Sequence, residues 1–239
     1  MSELDAIPDV LTFPPAMTGE AVTEDPLEIA VMRAIQGCDA GLICYRVAAD
    51  RVGAALVFAP EVPLADAMAM LPLCGVGLQN ALGALAPPEV AVHLEWTGGV
   101  RVNGASCGGF HVVVSDADPD EVPLWLVIGF EMPLLDLADG GLTPDRTALY
   151  AEGCADVDLG QLVESWARHS LNWISRWDTE GTKPLHAEWR GLAHGIGEEI
   201  TIQGRTGTFL GVDERFGMLL RDDERTHLIP LTVVLEDTP

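Results

Sequence analysis

The first apolar positions with helical spacing are Leu27, Ala30, Val31, Ala34 and Ile35. The run opens at Asp25-Pro26-Leu27-Glu28. Asp25 can cap it, Pro26 suits the first helical position and Glu28 completes a capping box. Gly37 stops it. Two short apolar runs, Leu42–Val47 and Ala54–Ala59, read as strands. A second helical block covers Leu64–Leu85, kinked or split at Pro72. Val90, Val92, Leu94 and Trp96 then alternate with Ala91, His93 and Glu95, the pattern of a half-buried strand. Gly98 to Gly109 is a glycine-dense turn region. Gly109–Ser115 and Leu124–Phe130 read as strands, joined by an acidic hairpin loop at Asp116–Glu121. Leu134–Ala155 reads as irregular.

Asp158 opens a long helix whose apolar stripe is Leu162, Val163, Trp166, Trp173, Ile174 and Trp177. It ends before Gly181. Beyond Trp189 the pattern changes to short β-like runs: Glu199–Gln203, Thr206–Leu210, Gly217–Arg221 and Leu228–Leu235. Tight turns separate them, which predicts a small β-barrel. The expected boundary lies near Trp189–Gly195, dividing the chain into 1–190 and 191–239. The order of elements is that of an α+β fold.

Composition narrows the partners. The 239 residues carry 13 basic and 37 acidic side chains, a formal charge of −24. A phosphate-backbone binder needs cations to neutralise its ligand, so nucleic acid is excluded. Anionic membrane surfaces are excluded for the same reason, and no run reads as a membrane span. Lys183 is the single lysine among those basic residues. The cysteines at 38, 44, 74, 107 and 154 are odd in number and lack C-x-x-C spacing, which predicts reduced thiols in the cytoplasm. Met1–Val10 is acidic and has no signal-peptide character. The histidines lack metal-ligand spacing, so no metal site is expected.

The stretch Leu94-Glu95-Trp96-Thr97-Gly98-Gly99-Val100-Arg101-Val102-Asn103-Gly104-Ala105-Ser106-Cys107-Gly108-Gly109-Phe110 resembles the biotin/lipoate protein ligase superfamily. In such ligases a strand ends in Trp-Pro-Asn-Asp, a hairpin follows, and a catalytic lysine stands ten residues after the tryptophan. Trp96, Asn103-Gly104 and Gly109 keep that spacing. Val127-Ile128-Gly129-Phe130-Glu131-Met132 resembles the family's later Gly-Ile-Gly-Ile-Asn strand. Gly211-Val212-Asp213 and Gly217-Met218-Leu219 resemble the tail of biotin ligases. The resemblance implies a class II synthetase-like mixed sheet with flanking helices and an SH3-like C-terminal barrel. It also implies ATP with magnesium, biotin or lipoate, and a biotinyl or lipoyl carrier domain as partner.

The departures bear on chemistry. By the resemblance the Asn-Asp pair falls on Gly98 and Gly99, the catalytic lysine on Ser106, the preceding lysine on Glu95 and the final asparagine on Glu131. The arginine- and glycine-rich adenylate loop shrinks to Arg46–Gly53, with Arg46 and Arg51 its remaining cations. Joining a carboxylate to an α-phosphate brings two anions together, so fixed positive charge is required; each lost donor costs about a hundred- to thousandfold in rate. The losses predict absent or altered adenylation. The expected cleft lies between the Arg46–Gly53 loop, Trp96 and Gly108–Gly109, and would hold a small carboxylate. Arg46, Arg51 and Arg101 are its candidate anion contacts, each with surface ion pairing as the plain alternative. Trp96 is a candidate wall or a packed strand end. Gly108 and Gly109 mark either a ligand approach or a β-bulge. Two other readings stay open. An active enzyme would use Cys107 as an acyl-transfer nucleophile, with His93 or His111 as base, or arginines in place of the lysine. A scaffold would have its cleft filled by side chains.

Overall fold

The computed structural model describes residues 11–135 and 145–235. The acidic start of the chain, and positions 136–144 of the stretch expected to be irregular, lie outside them. Among the described residues, seven strands form one sheet in the order β1-β2-β3-β7-β6-β5-β4. They are β1 (Thr18–Ala21), β2 (Leu42–Val47), β3 (Arg51–Phe58), β4 (Val92–Leu94), β5 (Gly99–Val102), β6 (Ala105–Val114) and β7 (Leu126–Pro133). Only the β1–β2 pair in it is parallel.

Both faces of the sheet are covered, which is why its central strands read as continuous apolar runs. On β3, Val52, Ala54 and Leu56 face the larger core, while Ala55 and Val57 face a smaller one. Helix α1 (Pro26–Ile35) seals the smaller core with Ala30 and Ala34. Its entry follows the sequence: the Asp25 carboxylate accepts from the Leu27 and Glu28 amides.

The larger core lies under α3 (Met70–Leu85) and α4 (Leu159–Glu180). Their contacts step in the same direction along both chains, so the two helices pack in parallel. Trp166 Nε1 donates to the Cys74 carbonyl at 3.1 Å, and Trp173 Nε1 to Asn80 Oδ1 at 2.9 Å. Between these, a Cβ on Gly77 would meet Ser170 Oγ at 2.6 Å. The glycine is what lets the backbones approach.

The block Leu64–Leu85 divides before Pro72, not at it. A short α2 (Leu64–Ala67) turns at Met68–Ala69, and Pro72 sits in the first turn of α3. There its missing N–H would have had no helical acceptor anyway. This stretch is long and apolar enough to cross a membrane, but 72% of its apolar window is buried inside the protein.

After Gly181 the chain forms a further helix, α5 (Thr182–Leu192), which passes through position 190. The tail holds β8 (Glu199–Ile202), β9 (Arg205–Val212), β10 (Met218–Arg221) and β11 (Thr226–Ile229) in one antiparallel sheet. That sheet is compatible with a small barrel-like unit. The last expected strand, Leu228–Leu235, is strand only in its first two residues, the end of β11, and is mostly a 3-10 helix at Leu231–Leu235.

Candidate functional site

The tail is pinned to the sheet through Trp96. Its Nε1 donates to the Phe216 carbonyl at 2.7 Å, and Trp96 is 5% exposed. Phe216 takes φ +60, an uncommon conformation for a bulky side chain. Asp213 holds that turn by accepting from the Arg215 and Gly217 amides. Trp189 meets the Phe216 ring edge-on, and Arg215 pairs with Asp66 at 3.0 Å. The cavity beside Trp96 measures about 10 Å³, at most room for a single water. Trp96 is a packed anchor in this structure.

Arg46, Arg51 and Glu131 come together on the face of the sheet that α1 covers. Cross-strand register sets the row: Arg46 pairs with Gly53, Gly53 with Glu131, Glu131 with Gly109, and Gly109 with Gly99. With no side chain at Gly53, the Arg46 guanidinium crosses to within 3.6 Å of Glu131 Oε2. Arg51 approaches from the start of β3 and donates to Glu131 Oε1 at 3.0 Å. It also pairs with Asp50 at 3.0 Å, and that guanidinium holds the Asp50 carboxyl below its ordinary range. Two guanidinium groups thus face two carboxylates, and the charges cancel. Arg46 is the less satisfied. Its Nη1 reaches the Thr23 carbonyl only at 3.3 Å, and its buried Nε has no acceptor among the described residues.

The two glycines of β6 answer to backbone. Gly108 has φ +84, and a Cβ there would lie 2.1 Å from the Glu131 carbonyl oxygen; one on Gly109 would meet the Gly98 oxygen at 3.0 Å. The β5–β6 register slips between Gly99 and Arg101, so one extra residue bulges on β6. The bulge is present in the structure. Arg101 stands apart from the Arg46 cluster. It donates to the Glu95 carboxylate and to the Gly104 carbonyl.

Ser106 is held through its backbone: its amide donates to Asp145 O and its carbonyl accepts from the Thr147 amide, both at 2.9 Å. Cys107 has no exposed surface and lies in the larger core. Burial, then the neighbouring Cys154 and Glu152, push its thiol up to about 12. His93 and His111 make no hydrogen bond to it. This is the opposite of an activated nucleophile, and the geometry required for acyl transfer through Cys107 is not met. In the native protein at pH 8, about one thiol of the five should react with Ellman's reagent, the half-buried Cys38. All five should react in guanidinium. Fast native modification of Cys107, located by mass spectrometry, would contradict this environment.

Lys183 stands on α5, in a polar groove of about 580 Å³ lined with Asp66, Glu180, His186, Glu214 and Arg215. It shares no lining residue with the Arg46 cluster.

A model of the biotin/lipoate A/B protein ligase family matches residues 13–191. The chain belongs to that family. A second model, of a domain of unknown function, matches residues 196–237. A biotin protein ligase-like protein of unknown function from Silicibacter sp. TM1040 is 63% identical, with a TM-score of 0.90 over 94% of this chain and 99% of that one. The biotin protein ligase of Aquifex aeolicus has a TM-score of 0.73 at 15% identity, over 89% of this chain and 95% of its own. That of Leishmania major, crystallised with biotin, scores 0.56 at 13% identity, over 90% and 98%. No curated protein matches. The mixed sheet with flanking helices is the biotin ligase fold.

Proposed function

We propose that this chain is a ligand-binding member of the biotin/lipoate ligase family that has given up adenylate formation. Arg46 and Arg51 take the anionic end of a small carboxylate, biotin, lipoate or a medium-chain acyl acid, free or on a carrier domain; Trp96, packed in the larger core, is not part of that site. The tail serves as an SH3-like cap on that body, and the protein works in the cytoplasm.

The observation that carries the reading is Ser106 at the position the family resemblance gives to the catalytic lysine. Arg46 and Arg51 are already opposed by carboxylates. Lys183, the one lysine, lies in the separate α5 groove. A neutral hydroxyl gives no charge stabilisation where a carboxylate must approach a phosphate. The alternative of an acyltransferase through Cys107 loses support from the buried, raised thiol.

The test is ATP–pyrophosphate exchange with biotin, lipoate or octanoate, run beside calorimetry of each free acid. We expect exchange at background level, at least ten-thousandfold below an active ligase if two donors are lost at a hundredfold each, together with measurable binding of at least one acid. Exchange well above background overturns the loss of adenylation, and absence of binding overturns the ligand role.

A further inference from the structure

We propose that Glu131 is a built-in competitor for the anionic group of the ligand: its carboxylate occupies the space between Arg46 and Arg51, and a carboxylate or phosphate binds there only when Glu131 swings aside. The inference rests on the proposed carboxylate site at these arginines and names what controls it.

The geometry has three parts. First, Glu131 touches both cations, Arg51 at 3.0 Å and Arg46 at 3.6 Å. A ligand anion arriving between the arginines would meet this negative charge at contact distance. Second, the side chain can move. It is 41% exposed, and its row neighbours on either side are Gly53 and Gly109, which leave no side chain to hold it. Its backbone, by contrast, is fixed in the middle of the sheet and pressed by Gly108. Rotation of the carboxylate therefore costs one largely exposed ion pair, to Arg51, and one long, half-buried contact, to Arg46; the first is worth little in water. Third, Arg46 keeps unused capacity. Its Nε is buried without an acceptor among the described residues, and its other contacts are long. A guanidinium has five donors in a fork suited to a carboxylate or phosphate. Arg51 retains Asp50 when Glu131 leaves, so its position survives the exchange.

Glu131→Gln keeps the shape and removes the charge. The probes are octanoate, biotin and AMP, each titrated by calorimetry at low ionic strength, where exposed charges are least screened. Glu61→Gln is the control, since Glu61 is an exposed carboxylate outside the cluster and its loss changes the net charge equally. Thermal unfolding of each variant checks the fold. We expect Glu131→Gln to bind at least one probe about tenfold tighter than wild type, the scale of one near-surface charge repulsion. Glu61→Gln should leave the affinity unchanged.

The outcomes separate this inference from the proposed function. If wild type binds nothing and Glu131→Gln binds, the competitor role stands and the ligand role of the native chain falls. If both bind equally, the competitor role falls and the ligand role stands. If Glu61→Gln tightens binding as much as Glu131→Gln, the effect is net charge and the inference is overturned. If folded Glu131→Gln binds no probe, it is overturned as well.

Discussion

Trp166→Ala should lower the unfolding free energy by about 3–5 kcal/mol, the range for removing a large buried aromatic. Trp166 has no exposed surface and is among the largest fully buried side chains of the protein. It joins three elements at once. Its ring meets Phe130 of β7 edge-on at 4.9 Å, its Nε1 reaches the Cys74 carbonyl of α3, and its own backbone belongs to α4. An alanine there opens a cavity between the sheet and both helices. Those surroundings cannot collapse into it, because Gly77 and Ser170 already hold α3 and α4 at close approach. For a chain of this length the midpoint should fall by about 10 °C. Trp166→Phe keeps most of the volume and loses the donor, and should cost about 1 kcal/mol more than a surface control. Urea titration of the three proteins measures both. A loss below 1 kcal/mol for the alanine variant is incompatible with the packing described.

How much of this fold can be read from the sequence depends on where each element gets its stability. α1 and α4 were legible because their signals are local: Asp25 and Asp158 cap them, and their apolar stripes keep helical spacing. β1 was not. Thr18–Ala21 is mostly exposed and carries a glycine, and it becomes a strand only through parallel pairing with β2. α5 was missed for a related reason. It buries only Leu185 and Trp189, and Pro184 and Gly191 interrupt any local helical pattern. β5 was hidden by the glycines that surround it, since Gly99 and Gly104 read as turn residues whatever the neighbouring strands do.

The site shows the same division. Arg46, Arg51 and Glu131 were each identifiable as candidates, but Glu131 lies 80 positions from Arg51. What joins them is the row Arg46–Gly53–Glu131, fixed by strand register and not by any local spacing. Trp96 was open between a packed strand end and a ligand wall, and what it packs against, Phe216, lies 120 positions away in the tail. Cys107 follows from the bulge. The extra residue at the Gly108 slip changes which side chains face the core, and no alternation pattern across Ala105–Gly109 reveals that.

Gly108→Ala should therefore cost clearly more than Gly104→Ala, although both glycines sit on the same hairpin with similar positive φ, +84 and +92. A left-handed backbone costs an alanine about 1–2 kcal/mol at either position. At Gly104 nothing lies within 4 Å of the added methyl, so the cost ends there. At Gly108 the methyl would stand 2.1 Å from the Glu131 oxygen and 3.0 Å from the Met132 Cα. These are backbone atoms of β7, held by β3 on their other side, so they cannot rotate away as a side chain would. Relief requires β6 to part from β7 at the row that presents Glu131. We expect about 3 kcal/mol or more for Gly108→Ala in urea titration, and about 1 kcal/mol for Gly104→Ala. The function should respond as well. Displacing the Glu131 backbone removes its carboxylate from the arginines, so Gly108→Ala should alter probe affinity where Gly104→Ala does not. Equal stability losses in the two variants would show that β6 and β7 are not in the close contact that places the carboxylate between its two cations.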